Sequence, residues 1–315
     1  MSNQDNSSNT SALDVRAALK EGMARLRAAN VPSHTLATEL LLMHALERDR
    51  TWLYTHPEAF LDATDTEKYL GLIARRAAGE PTQYLTGKQE FWGLEFEVTP
   101  AVLIPRPETE HVMEVALARL GTRGFKIHLD TGKPREKLRV ADVGTGSGCL
   151  AVALAWELPH AEVLATDISA PALEVAGRNA ARHNVADRIH FLRTNLLDGL
   201  GDELRTGIAK LPNFDLIVSN PPYVGRDDAL QLQREVRDYE PHAALFAGAT
   251  GVEMYARLIE EAGRLLRPGG ILVLELGYNS AQHVRDLFAG QNCWRKVAFT
   301  NDLAGIPRVA AADRV

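Results

Sequence analysis

The run RVADVGTGSGCLAVALA, residues 139–155, constrains the fold more than any other part of the chain. It opens as a buried strand, passes through a loop containing Gly144, Gly146 and Gly148, and continues as an Ala- and Leu-rich helix. Glycine at such a junction tolerates positive φ and lets a ligand approach the backbone, where the free N–H groups of a helix start favour an anion. The spacing G-x-G-x-G departs from the G-x-G-x-x-G of dinucleotide binders, and no Lys-Ser or Lys-Thr pair follows as in a P-loop. A small nucleoside ligand is therefore favoured over NAD or ATP. The next strand ends in ATDIS, about 20 residues on, where the Asp167 carboxylate can accept both hydroxyls of a ribose. Taken singly, the glycines also suit a tight turn, and Asp167 or Ser169 a helix cap ahead of Pro171. Together, at successive strand ends, they predict a nucleotide-type site. S-adenosylmethionine fits it best, its carboxylate at the glycine loop and its ribose at Asp167.

Around this run the pattern alternates. Strands are predicted at residues 139–143, 162–167, 189–192, 215–219, 271–276, 295–299 and 308–312, with helices at 112–120, 171–183 and 252–266. Such alternation implies a mostly parallel sheet covered on both faces, its last two strands forming an antiparallel pair. Residues 11–79 carry apolar positions at helical spacing and read as a small helical domain. Residues 80–107 change texture, and Phe91, Leu94, Phe96 and Val98 around Trp92-Gly93 predict a linking β-hairpin. The polar first ten residues read as a disordered tail, and the Gly-rich basic connection over 121–137 as a mobile surface loop.

Composition removes several function classes. The 35 basic residues against 41 acidic ones leave a net charge of −6, which argues against direct nucleic-acid binding through phosphate neutralisation. Cys149 and Cys293 have no neighbours at metal-ligand spacing, so neither a metal site nor a disulfide framework is expected. No apolar run reaches the length of a membrane span. The expectation is a cytoplasmic monomer.

The second motif is Asn220-Pro221-Pro222-Tyr223, at the end of the strand FDLIVS. The prolines restrict the turn and donate no N–H, leaving carbonyls free to accept. Acceptors are what a planar amide or exocyclic amine needs, because its lone pair is delocalised and the nitrogen is a poor nucleophile. If Asn220 Oδ1 and the Pro221 carbonyl each take one N–H, the nitrogen is fixed and its lone pair can turn toward a methyl donor. Those bonds strengthen as positive charge develops, so they raise rate as well as affinity. Tyr223 would close the pocket and stack on the planar group. A structural Pro-Pro turn capped by Asn is the plain alternative.

These motifs together resemble a class I S-adenosylmethionine-dependent methyltransferase, and specifically the HemK/PrmC family of release factor glutamine methyltransferases. The resemblance runs through PTQYLTGKQEFWGLEF, VLIPRPETE, DVGTGSG, SNPPYV, EPHAALFAGATG and DLAGIPRV. It implies an α/β fold of seven mostly parallel strands over 108–315, with the helical domain recognising substrate. The implied reaction methylates the side-chain nitrogen of the Gln in the Gly-Gly-Gln motif of bacterial peptide chain release factors, modulating translation termination and releasing S-adenosylhomocysteine. The resemblance assigns Gly144, Thr145, Gly146, Ser147, Gly148, Asp167, Asn195, Leu196 and Asn220 to the cofactor. Asn220, Pro221, Pro222 and Tyr223 go to catalysis and to the substrate glutamine.

Two alternatives share features. A similar family methylates a ribosomal-protein glutamine, but its loop resembles PRSP where this chain has PRPE, and NPPY also occurs in adenine-N6 nucleic-acid methyltransferases. The chain departs from the family where Asp and an aromatic residue often follow the third strand. Here Asn195 and Leu196 stand, with Asp198 a rival for the adenine contact. Pro307 likewise stands where an acidic residue often precedes the Arg. For Glu108, Glu110, His111, His183 and Cys149, structural roles are expected.

Overall fold

The computed structural model describes residues 13–121, 138–200 and 214–315, and the chain divides into two compact units. The tail expected at 1–10 and the basic connection after Gly121 lie outside the described residues.

The first unit runs to Gly87 and is built from α1 (Val15–Ala28), α2 (His34–Leu46), α3 (Arg50–Thr55), α4 (Ala63–Ala77) and α5 (Thr82–Thr86). Asp14, Asp49 and Asp62 each cap a helix, accepting a first-turn N–H at 2.7 Å. Leu26, Leu41, Leu42 and Ile73 are fully buried in its core, each contributing roughly 1.5–3 kcal/mol. Gly22 is what lets α1 approach α4. A Cβ there would lie 2.0 Å from the Tyr69 hydroxyl, which donates to the Ala18 carbonyl at 2.9 Å. The helical domain expected over 11–79 is followed by one further helical turn, α5, with Pro81 at its N-cap, before the hairpin.

The second unit opens with the hairpin of β1 (Lys88–Phe91) and β2 (Leu94–Glu97). Trp92 and Gly93 both take positive φ, 55° and 71°, as a two-residue hairpin turn requires. After α6 (Glu110–Arg119) come β3 (Leu138–Val143), α7 (Cys149–Glu157), β4 (Ala161–Asp167), α8 (Ala170–Arg182), β5 (Ile189–Arg193) and β6 (Phe214–Ser219). There follow β7 (Val224–Gly225), α9 (Arg234–Tyr239), α10 (His242–Leu245), β8 (Phe246–Gly248) and α11 (Glu253–Leu265). The chain ends with β9 (Leu266–Glu275), α12 (Ala281–Ala289), β10 (Trp294–Asn301) and β11 (Pro307–Arg314). Of these, α9 belongs by its contacts to the first unit, where Glu235 pairs with the buried Arg76.

The main sheet has the order β5-β4-β3-β6-β9-β11-β10, with β11 antiparallel to both its neighbours and the other pairings parallel. This is the seven-stranded α/β architecture expected of a class I methyltransferase. Val140, Leu216 and Val218 face one apolar layer with α7, while Ala141, Val143 and Ile217 face another with Tyr255 and Leu258 of α11. Burial on both faces accounts for the continuous apolar runs of these strands. Register decides where the site falls. Val143 stands opposite Thr166 and Ser219, and Ser219 opposite Leu274, so the residues that follow emerge side by side at one edge. Strand order reverses direction at β3, the switch point at which open α/β sheets bind ligands.

Candidate active site

Gly144 and Gly146 sit at φ 75° and 55°, and a Cβ on either would meet no heavy atom of the described residues within 4 Å. Gly148, at φ 82°, answers a packing need, since a Cβ there would lie 3.0 Å from that of Ala176 on α8. The Gly144 and Thr145 N–H groups donate to the Thr166 carbonyl at 2.9 and 2.8 Å. Asp167 Oδ2 accepts the Gly146 N–H and its Oδ1 the Ser169 N–H, both at 2.9 Å. Each oxygen keeps lone-pair capacity for a further donor such as a ribose hydroxyl. Thr145 and Ser147 are buried. The Thr145 hydroxyl donates to Asp142 at 2.6 Å, and Asn179 holds the Ser147 carbonyl at 2.9 Å, so these two shape the loop from within.

Asp142, the acid just ahead of the loop, was not singled out from sequence. It is 1% exposed, and its Oδ2 accepts from Thr145 and from the Ala151 N–H at 3.0 Å, whereas Oδ1 is buried with no partner among the described residues. Burial pushes its carboxyl up to about 7, with those two bonds pulling the other way. An orphaned acceptor, a glycine cradle and a carboxylate at the next strand end suit a ligand with an ammonium, a carboxylate and ribose hydroxyls. S-adenosylmethionine has all three, so the residues fit it.

The Asn-Pro-Pro-Tyr turn begins one residue beyond β6. Asn220 Nδ2 donates to Thr109 Oγ1 at 3.0 Å, and Thr109 Oγ1 donates to Glu275 Oε2 at 2.6 Å. Among the described residues no donor meets Asn220 Oδ1. Pro221 is buried and Pro222 half-buried. The Tyr223 ring packs on Gly277, where a Cβ would lie 2.8 Å from its Cδ2. Burial raises the Tyr223 phenol far above its ordinary value, keeping it neutral. Val224 of β7 pairs with Phe246 of β8, and Gly251 fits against the turn at φ 87°, since a Cβ there would lie 2.4 Å from the Tyr223 carbonyl. The segment EPHAALFAGATG thus braces NPPY. Its buried Glu240 also accepts from the Ile104 N–H at 3.3 Å and from Arg106 at 2.5 Å, tying IPRPETE to the same frame.

The other residues singled out from sequence take the following places. Asn195 is half-buried beyond β5, at the ligand edge. Leu196, at φ 55° and 8% exposed, packs into the core cluster with Leu164 and Leu197. Asp198 is exposed and paired with Arg257 at 3.1 Å. Glu110 accepts the Trp92 N–H at 2.8 Å and holds the hairpin turn, and His183 bonds the Glu95 carbonyl at 2.9 Å. Burial pushes the Cys149 thiol up to about 12, consistent with packing. Glu275 and Thr109 were missed from sequence. The only signal was an acid inside the apolar run ILVLELG and a hydroxyl in RPETE.

The PrmC N-terminal domain model matches residues 17–87, and the methyltransferase small domain model matches residues 120–236. The release factor glutamine methyltransferase of Koribacter versatilis is 43% identical over 298 residues, covering 94% of this chain and 97% of that protein. That of Nitratidesulfovibrio vulgaris is 41% identical over 310 residues, covering 98% of each. Among solved structures, the hMettl16 catalytic domain in complex with MAT2A 3'UTR hairpin 6 superposes with a TM-score of 0.53 at 19% identity, over 76% of this chain and 81% of that one. That likeness is one of fold. With the sequence matches extending along almost the whole chain, this protein belongs to the release factor glutamine methyltransferase family.

Proposed function

We propose that the chain methylates the side-chain amide nitrogen of the glutamine in the Gly-Gly-Gln motif of a peptide chain release factor, and so modulates translation termination. The methyl group comes from the sulfonium centre of S-adenosylmethionine, which leaves as S-adenosylhomocysteine, and the methylated nitrogen gives up one N–H proton to bulk solvent. The observation that carries the reading is the anchoring of Asn220 through its nitrogen, which leaves its oxygen as an acceptor at the ligand edge.

In this reading Asn220 Oδ1 and the Pro221 carbonyl hold the two N–H groups of the substrate amide and turn its lone pair toward the donor. Pro222 keeps the turn in shape, and Tyr223 walls the pocket and excludes water. The acceptors gain most as the nitrogen becomes positive, which is the condition for lowering the barrier. Gly144 to Gly148, Asp142, Asp167 and Asn195 hold the donor. The helical unit recognises the folded release factor; Leu36 and Leu40, one turn apart on α2, are 49% and 37% exposed and Tyr54 is 60% exposed, as a protein-binding face requires. The enzyme acts as a cytoplasmic monomer without contacting nucleic acid.

The test is a pair of release factors, one native and one with the motif glutamine changed to glutamate, each incubated with labelled donor. Label should enter the first and not the second. Equal labelling of both would contradict the reading.

A further inference from the structure

We propose that Thr109 and Glu275 are positioning residues that key the Asn220 amide, fixing which of its two ends faces the substrate. The inference rests on the proposed role of Asn220 and deepens it.

An Asn side chain has a donor end and an acceptor end of nearly equal shape, so packing alone selects poorly between them. Only one orientation serves catalysis. With its oxygen toward the substrate amide it accepts, whereas with its NH2 group outward two donors would confront each other. The choice is set by hydrogen-bond polarity. A threonine hydroxyl has one proton, and Thr109 sends it to Glu275 Oε2 at 2.6 Å. Its oxygen can then only accept from Asn220, and it does so from Nδ2 at 3.0 Å. Thr109 is 1% exposed and Glu275 is 2% exposed, so water does not substitute for either partner.

The relay draws on three separated segments. Asn220 and Glu275 follow paired positions, Ser219 and Leu274, on the adjacent strands β6 and β9, and Thr109 caps α6. Both Glu275 and Thr109 would hold the start of α6 in place even without a role in turnover, so the test must separate orientation from packing. Thr109→Val removes the hydroxyl at nearly constant volume, Thr109→Ser keeps it, and Glu275→Met removes the acceptor while filling the space.

The readouts are kcat on native release factor, affinity for S-adenosylhomocysteine by calorimetry, and thermal unfolding, each also in the Asn220→Ala background. Thr109→Val and Glu275→Met should lower kcat by about tenfold or more, as loss of a preorganised transition-state contact does. Affinity for S-adenosylhomocysteine should stay within about twofold, a change below the tenfold that 1.4 kcal/mol represents. Thr109→Ser should retain most of the activity. In the Asn220→Ala background neither substitution should lower kcat further, because residues acting through one group are not additive. An active wild type beside an equally active Thr109→Val would overturn the proposal, as would an undiminished effect of Thr109→Val in the Asn220→Ala background. Absence of methylation by the wild type would count against the functional reading itself.

Discussion

The Asp167 carboxylate bonds the Gly146 N–H at 2.9 Å, so the residue expected to hold the ribose also holds the glycine loop. One substitution therefore removes two supports of the donor site. Asp167→Ala should weaken S-adenosylhomocysteine binding by about 1.5–3 kcal/mol, the range for hydrogen bonds to a charged group, and calorimetry measures it. Unchanged affinity would separate Asp167 from the donor.

Asn220→Ala should behave in the opposite way. Its nitrogen is bound inward to Thr109, so the lost atom that matters is the free acceptor. Turnover should fall by roughly 10²-fold or more, while donor affinity changes little, as for removal of a group that acts in the transition state. A large affinity loss confined to this variant would reverse the assignment.

The pattern of what could be read from the sequence follows from interaction range. The seven strands and the donor loop are local signals, set by apolar runs and by glycines at fixed spacing. Elements such as β7, β8 and α10 depend on tertiary fit, with Gly225 and Gly251 admitting close backbone approach and Gly248 the Glu253 side chain, and no periodicity marks them. The partners of Asn220 were invisible for a similar reason. Thr109 lies 111 residues away from it, and Glu275 lies 166 residues beyond Thr109. At Leu196 the sequence offered an apolar residue next to the expected adenine contact, and its place in the core cluster depends on tertiary packing that no local pattern marks.

The two buried carboxyls predict a pH dependence of stability. Burial raises Asp142 and Glu275 to about 7 from their ordinary values of 3.8 and 4.5. Between those limits the folded protein holds more protons than the unfolded chain, so their contribution to stability is full at low pH and is lost as pH rises toward about 7. Urea unfolding of the ligand-free protein at about pH 5 and about pH 8 reads this out. Asp142→Asn and Glu275→Met should each shrink the difference between the two pH values. A difference identical to that of the wild type in both variants would place the titration elsewhere.

Substitutions in the helical unit should separate recognition from chemistry. Leu36→Glu with Leu40→Glu places charge on an exposed face without touching the core, so unfolding temperature should barely move. KM for the intact release factor should rise by about tenfold, equivalent to roughly 1.4 kcal/mol, while activity on a short Gly-Gly-Gln peptide stays at its wild-type level. Equal loss on both substrates would remove the recognition role of this face.

The most direct measurement is peptide mass spectrometry of a native release factor after incubation with the enzyme and isotope-labelled S-adenosylmethionine, run beside ribosomal protein and nucleic acid. The account predicts one labelled methyl group on the Gly-Gly-Gln glutamine and none on the other substrates. Label on adenine or on a ribosomal-protein glutamine, with an unmodified release factor, would contradict it.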